Sequence, residues 1–345
     1  DFRPGAEPEP ELAEPAIEAA PGPESATEPE PVPAISPPQW ESPDSLAGFE
    51  FADNFLLLRP LSSSPEKRSY IAETIDVGLP VVVQLLGPHH GPDSAVARQF
   101  RAHYQALEQV QHPRIPTIHE VGVSNQVTFV AMPFFDGADL GQLLKREQVI
   151  AWKRALSLIR QVLEGLEVLH ATGLYHGDLT PQNCMCINPG AQEQLKLLNA
   201  TIPPLHGVYH NEDGPVVAPS LGGVGGTAEY LAPERTLGAP ASAEADLYAA
   251  GAILYELIRG APAFESDSFG GVLAKQQTEE APPLSAVCEQ VLPSALEDVI
   301  ARALAKDPSQ RFGTASELLT ALDSAETAGA KFAEPEAPLE PAAAA

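Results

Sequence analysis

The sequence predicts an α+β protein built from two unequal lobes. Three observations carry this expectation. Short apolar, β-branched runs crowd the first part of the patterned region, with one helical stretch among them. Helical periods dominate from about residue 138 onward. The patterned region, about 270 residues long, is too large for one small core.

Residues 1–48 are rich in Pro, Glu and Ala, as in "PGAEPEPELAEPAIEAAPGPESATEPEPVPAISPP". They cannot bury enough apolar surface to offset their ordering entropy, so a disordered acidic linker is expected. Within it Thr27, Ser36-Pro37 and Ser42-Pro43 are candidate phosphate acceptors. "FLLLRPL", "RSYIAETI" and "LPVVVQLLG" read as strands. "DSAVARQFRAHYQALEQVQ" has a helical period that places Val96, Phe100, Tyr104 and Leu107 on one side. "TIHEVGVSNQVTFVAMPF" returns to strands, with a turn at Ser124-Asn125. In "WKRALSLIRQVLEGLEVLH", Leu156, Ile159, Leu163, Leu166 and Leu169 form an apolar stripe. "EADLYAAGAILYELIRG" is apolar on nearly all sides, predicting a central buried helix that Gly260 ends. "SALEDVIARALAKD" is a further amphipathic helix, and residues 324–345 read as a second disordered tail. The folded domain is expected over 49–323, divided near residues 135 and 136.

Composition narrows the function. Asp and Glu number 47 against 20 Lys and Arg, a net charge of −27. Such a chain is repelled by nucleic acid and anionic membranes. No apolar run approaches the ~20 residues that span a bilayer, and no signal peptide opens the chain. Its first residue is Asp1 rather than Met, which reads as a fragment or processed form. Three cysteines give no disulfide framework, so a reducing cytoplasm is expected. Cys184 and Cys186 share one face of a strand and read as buried small hydrophobes. No metal site is expected from them.

Five motifs then occur in order. "HGDLTPQN" matches the pattern H-R-D-L-K-P-E-N at five of eight positions. "GTAEYLAPE", "ADLYAAGAILYEL", "RGAPAF" and "DPSQRF" come after it. Together they resemble the eukaryotic-like protein kinases, especially bacterial serine/threonine kinases, over roughly residues 52 to 322. The resemblance implies a two-lobed protein-kinase-like fold with a β-rich N-lobe and a larger helical C-lobe. It implies structural roles for His176, for Asp246 bracing the catalytic loop, and for a buried Glu234–Arg311 pair. It places the catalytic base at Asp178 and a metal ligand at Asn183.

Other family positions depart from the pattern. The three loop glycines fall on Ser62, Ser64 and Lys67, and Pro65 lacks an amide hydrogen, which removes the phosphate cradle. The strand lysine falls on Gln84, with Val82 and Ser69 lining the adenine slot. The helix glutamate falls on His103. Gly177 replaces the arginine that reads a phosphorylated activation segment, which removes that mode of switching. Thr180 replaces the catalytic lysine. The D-F-G triplet becomes Asn199-Ala200-Thr201, and Mg²⁺ favours carboxylates over amides. Pro203-Pro204 stiffen the backbone just beyond the triplet. If each of three lost charges cost ~2 kcal/mol, about 6 kcal/mol would go, more than four decades in affinity or rate.

The expected function on these grounds is a catalytically inactive kinase-like domain, a scaffold or regulatory module with protein partners and no cofactor. The alternative is an atypical active serine/threonine kinase using Mg-ATP, since some members of the superfamily supply the lysine from the glycine-rich strand. Lys67 or Arg68 would then take that role. A structural subunit of a larger assembly is the third reading. The segment "HGVYHNEDGPVVAPSLGGVGG" reads as a solvated or interaction loop.

Overall fold

In a computed structural model of the chain, the structure describes residues 46–64, 67–190, 192–200, 208–211, 214–217 and 228–332. The candidate phosphate acceptors at Thr27, Ser36 and Ser42 lie outside these residues, as do Pro65, Thr201, Pro203 and Pro204.

Alternating apolar residues build the first lobe. The strands are β1 (Glu50–Phe51), β2 (Phe55–Ser63), β3 (Lys67–Thr74), β4 (Pro80–Leu86), β5 (Glu120–Ser124) and β6 (Val127–Pro133). They form one antiparallel sheet in the order β1-β2-β3-β4-β6-β5. One face closes over Leu57, Tyr70, Val83, Leu85 and Phe129. The turn between β5 and β6 falls on Asn125-Gln126, one residue later than the sequence predicts. Ser124 is taken up by pairing with Val127, and the two loop residues adopt φ of 50° and 63°. Those angles suit a two-residue hairpin of the primed type.

Helix α1 (Ala95–Leu107) crosses behind the sheet. Ser94 caps it by accepting the Ala97 N–H at 3.1 Å, and Ala97, Phe100, Tyr104 and Leu107 are its buried face.

The second lobe is helical. Its longer helices are α2 (Leu140–Glu147), α3 (Trp152–Ala171), α5 (Ala243–Arg259), α6 (Phe269–Thr278), α8 (Ser294–Ala303) and α9 (Ala315–Phe332). The short α4 (Pro233–Thr236) and α7 (Leu284–Val287) connect them. A three-stranded sheet of β7 (Ala138–Asp139), β8 (Cys184–Ile187) and β9 (Gln194–Leu197) lies beside α3. Cys184 and Cys186 are both buried in β8. Helix α5 is buried on nearly every side, which explains its apolar sequence. Gly260 ends it at φ 85°, where an added Cβ would meet the Gln148 carbonyl oxygen. Strands β10 (Val208–Asn211) and β11 (Gly214–Val217) pair as a hairpin inside the glycine-rich segment.

Two boundaries differ from the sequence expectation. Leu46, assigned to the linker, is buried in the same cluster as Phe51. Helix α9 continues past residue 323 to Phe332, because Leu318, Leu322 and Ala325 extend one buried stripe. Arg160 holds that helix through Asp323 at 2.8 Å and Glu326.

Candidate active site

The site begins at the hairpin joining β2 and β3. Ser64 donates its backbone N–H to the Lys67 carbonyl at 2.9 Å. Its hydroxyl donates to the same carbonyl at 3.0 Å and accepts the Lys67 N–H at 3.1 Å. The serine standing at a family glycine position therefore fixes the backbone of Lys67. Ser62 lies opposite Ser69 on β3, and Ser69 lies opposite Gln84 on β4. Side chains alternate along a strand, so Lys67, Ser69 and Gln84 share the face toward the second lobe, while Arg68 takes the other. Of the two candidate cations, Lys67 is the one in the cleft.

A ladder of neutral polar groups crosses the cleft floor. Tyr104 Oη donates to Gln84 Oε1 at 3.2 Å, and Gln84 Nε2 donates to Asn199 Oδ1 at 2.8 Å. Lys67 Nζ reaches the same oxygen at 3.5 Å. Asn199 Nδ2 donates to Asn183 Oδ1 at 3.0 Å. Asn183 Nδ2 then donates to the Asp178 backbone carbonyl at 2.7 Å and to its carboxylate at 3.4 Å. Asn199 has φ 55°, a left-handed conformation that asparagine accepts more readily than most residues. The ladder brings together Lys67, Gln84, Asn199, Asn183 and Asp178, which lie far apart in sequence.

The electrostatics arise from burial. Burial lowers the pKa of Lys67, and the Asp178 charge pulls it partly back. Burial pushes Asp178 up to about 7, against Lys67, the Asn183 hydrogen bond and Arg235. His103 drops to about 4 through burial, against a hydrogen bond with the Ala200 backbone and with His176 adding to the fall. It is neutral at pH 7 and does not pair with Gln84; the next residue, Tyr104, does. Burial also raises the Tyr104 phenol, which keeps it a donor.

The loop carrying Asp178 is held from below. Asp246 on α5 accepts the His176 N–H at 2.8 Å, the Gly177 N–H at 2.8 Å and His170 Nε2 at 2.9 Å. His176 is fully buried and its Nε2 donates to the Leu198 carbonyl at 3.0 Å. Gly177 takes φ 72°. Thr180 is buried, and its carbonyl accepts the Asn183 N–H at 3.0 Å. Farther out, Arg311 forks onto Glu234 at 2.8 and 2.7 Å and stacks on Tyr248. Sequence reasoning misses three site residues: Tyr104, His170 and Arg235. Tyr104 reads as a core residue, although a buried phenol needs a partner. Arg235 lines a small hollow with Gly177, Asp178 and Thr180, and no sequence signal marks it.

Comparison with known proteins fits this geometry. A family model described as the protein kinase domain matches residues 88–321. The chain belongs to the protein kinase domain family. It is 31% identical over 286 residues to serine/threonine-protein kinase Pkn1 of Myxococcus xanthus, covering 83% of this chain and 40% of that protein. It is 30% identical over 273 residues to serine/threonine-protein kinase PknD of Mycobacterium tuberculosis, covering 79% and 40%. The chain thus spans about two fifths of the length of these curated relatives. The crystal structure of the Mycobacterium tuberculosis PknI kinase domain superposes with a TM-score of 0.61 at 24% identity, over 81% of this chain and 98% of that one. The two-lobed α+β architecture is the protein kinase fold.

These relatives correct one expectation. The reading of a catalytically inactive scaffold is overturned, since the matched proteins are named serine/threonine-protein kinases. The active-kinase alternative is the one they favour. Among the described residues, no helix is long and apolar enough to cross a membrane.

A protein kinase domain implies a nucleotide and magnesium. Lys67 gives the cleft a cation that fits nucleotide phosphates. The donor set does not fit magnesium. Asn199 Oδ1 already accepts two N–H donors and Asn183 Oδ1 one, leaving Asp178 as the single carboxylate of the ladder. Among the described residues, no group of three or more His, Cys, Asp or Glu could hold a metal ion.

Proposed function

We propose that this domain is a serine/threonine protein kinase that transfers the γ-phosphoryl group of ATP to a protein hydroxyl. The observation that carries the reading is the Lys67 ammonium beside Asn199 and within the electrostatic reach of Asp178. It supports the reading because this cation, able to pair with phosphate, lies in a cleft whose strand position, Gln84, has none.

Bound ATP supplies the phosphoryl group, whose bond to the β-phosphate oxygen breaks as the substrate oxygen bonds to phosphorus. Lys67 holds the phosphates. Asp178 accepts the proton of the substrate hydroxyl, and a carboxylate poised near neutral pH suits that task. Asn183 orients Asp178, and Asp246 fixes the backbone on its N-terminal side. Arg235 adds positive charge beside Asp178. The three free cysteines suit a reducing cytoplasm.

The test is transfer of label from γ-labelled ATP, with magnesium in the buffer, to the chain itself or to a mixture of hydroxyl-bearing peptides. Asp178→Asn should lower the rate by about 10²–10⁴-fold. Equal incorporation by the wild type and Asp178→Asn would refute the reading.

A further inference from the structure

We propose that this domain binds the triphosphate of ATP without a divalent cation, with Lys67 supplying the positive charge. The inference rests on the kinase reading above and concerns how the same cleft handles phosphate charge.

Three features argue for it. First, the position that would offer a metal carboxylate holds Asn199, a neutral amide whose side-chain oxygen accepts Gln84 Nε2 at 2.8 Å, with the Lys67 ammonium 3.5 Å away. One of the two lone pairs of that oxygen is thus taken by Gln84, and the cation stands beside the other. A metal at this oxygen would meet no negative charge and would sit against the lysine. Second, the same substitution removes a negative charge from the wall the phosphates approach. A metal between nucleotide and protein screens phosphate from carboxylate as well as bridging them. With asparagine there, the repulsion needing that screen is gone. Third, the Lys67 contact to Asn199 is long for a hydrogen bond. Phosphate oxygens offer this ammonium a charged acceptor in place of a distant neutral one. Magnesium takes up much of the triphosphate's charge, so a lysine-only site should hold the metal-free nucleotide at least as well.

Isothermal titration of the whole chain with ATP, in excess EDTA and then in millimolar magnesium chloride, tests this. The Kd in EDTA should equal or better the magnesium value, to within about threefold. Lys67→Met should weaken binding in EDTA by about tenfold or more. Asn199→Asp should reverse the preference, moving the ratio of the two Kd values by about tenfold toward magnesium. A melting curve for each variant verifies that it is folded. Binding that needs magnesium in the wild type would overturn the inference and leave the kinase reading standing. No binding in either buffer by a cooperatively folded chain would overturn both.

Discussion

Replacing Asp246 with Asn exchanges one carboxylate oxygen for an NH₂ and should disturb the whole catalytic loop. The Asp246 carboxylate is buried and takes three N–H donors: Gly177 N on Oδ1, and His176 N and His170 Nε2 on Oδ2, all within 2.9 Å. An amide offers one oxygen and one NH₂. If the oxygen faces His176, the NH₂ meets the Gly177 N–H. If the amide turns over, the NH₂ meets the His176 N–H, while His170 can change tautomer and accept. Either way one buried backbone N–H is left without an acceptor, costing about 1–3 kcal/mol, and the remaining bonds lose their charge assistance. Together these come to about 3 kcal/mol. A domain of this size loses about 2–4 °C of melting temperature per kcal/mol, so the expected shift is roughly 6–12 °C. Thermal melting checked by urea unfolding reads it directly. A shift below about 2 °C would mean instead that the three bonds contribute little net stability and that Asp246 does not brace the loop.

Other outcomes rest on single contacts. Glu234→Ala leaves the buried Arg311 guanidinium, among the described residues, with the carbonyls of Ala305, Glu244 and Lys306 and the Tyr248 ring but no carboxylate, and should cost about 3–5 kcal/mol in urea unfolding. The kcat/KM of phosphotransfer should rise with pH, reach half its plateau near the value of about 7 that burial gives Asp178 and level off above it, since only the ionised carboxylate accepts a proton; a profile flat from about pH 5 to 8 would count against Asp178 as base. Gly251→Ala should destabilise by about 1–3 kcal/mol in a melt, because its Cβ would lie 2.8 Å from the Ala303 Cβ and α5 would have to part from α8. The exchange Lys67→Gln with Gln84→Lys should recover nucleotide affinity lost in Lys67→Gln alone, read by the same titration.

Much of the fold was legible because hydrophobic period and motif order reinforce each other. The stripe of α3 and the all-round apolar α5 need no knowledge of neighbours to be read as helices. The end of α9 was not legible. Its last turns carry Ala, Glu, Thr and Gly, a composition that also reads as a tail, and only the Arg160 pairs and the burial of Ala325 show it docked. The site was legible position by position but not in its pairings. Counting along the motifs locates Asp178, Asn183, Gln84 and Asn199. It cannot show that three amides and a phenol form one chain of hydrogen bonds. Spacing makes His103 the partner of Gln84, yet the helix turns Tyr104 toward it instead.

The register of β3 and β4 explains how a charge can change strand without leaving the cleft. Gln84 faces Ser69, and Lys67 lies two residues along β3 on the same face. That separation is about 6.5–7 Å along the strand, within the span of a four-carbon stem bearing an ammonium. Both side chains accordingly end at one atom, Asn199 Oδ1. An asparagine at 199 suits this placement of the charge. An aspartate there would form an ion pair with Lys67 at short range and compete with phosphate for its only charge. An amide holds Gln84 firmly and Lys67 loosely, so the lysine can exchange its neutral acceptor for a charged one. Lys67, Gln84 and Asn199 thus form one hydrogen-bonded group, so the lysine absent at 84 and the carboxylate absent at 199 are to be weighed together with the cation at 67, while Thr180 stays a separate departure.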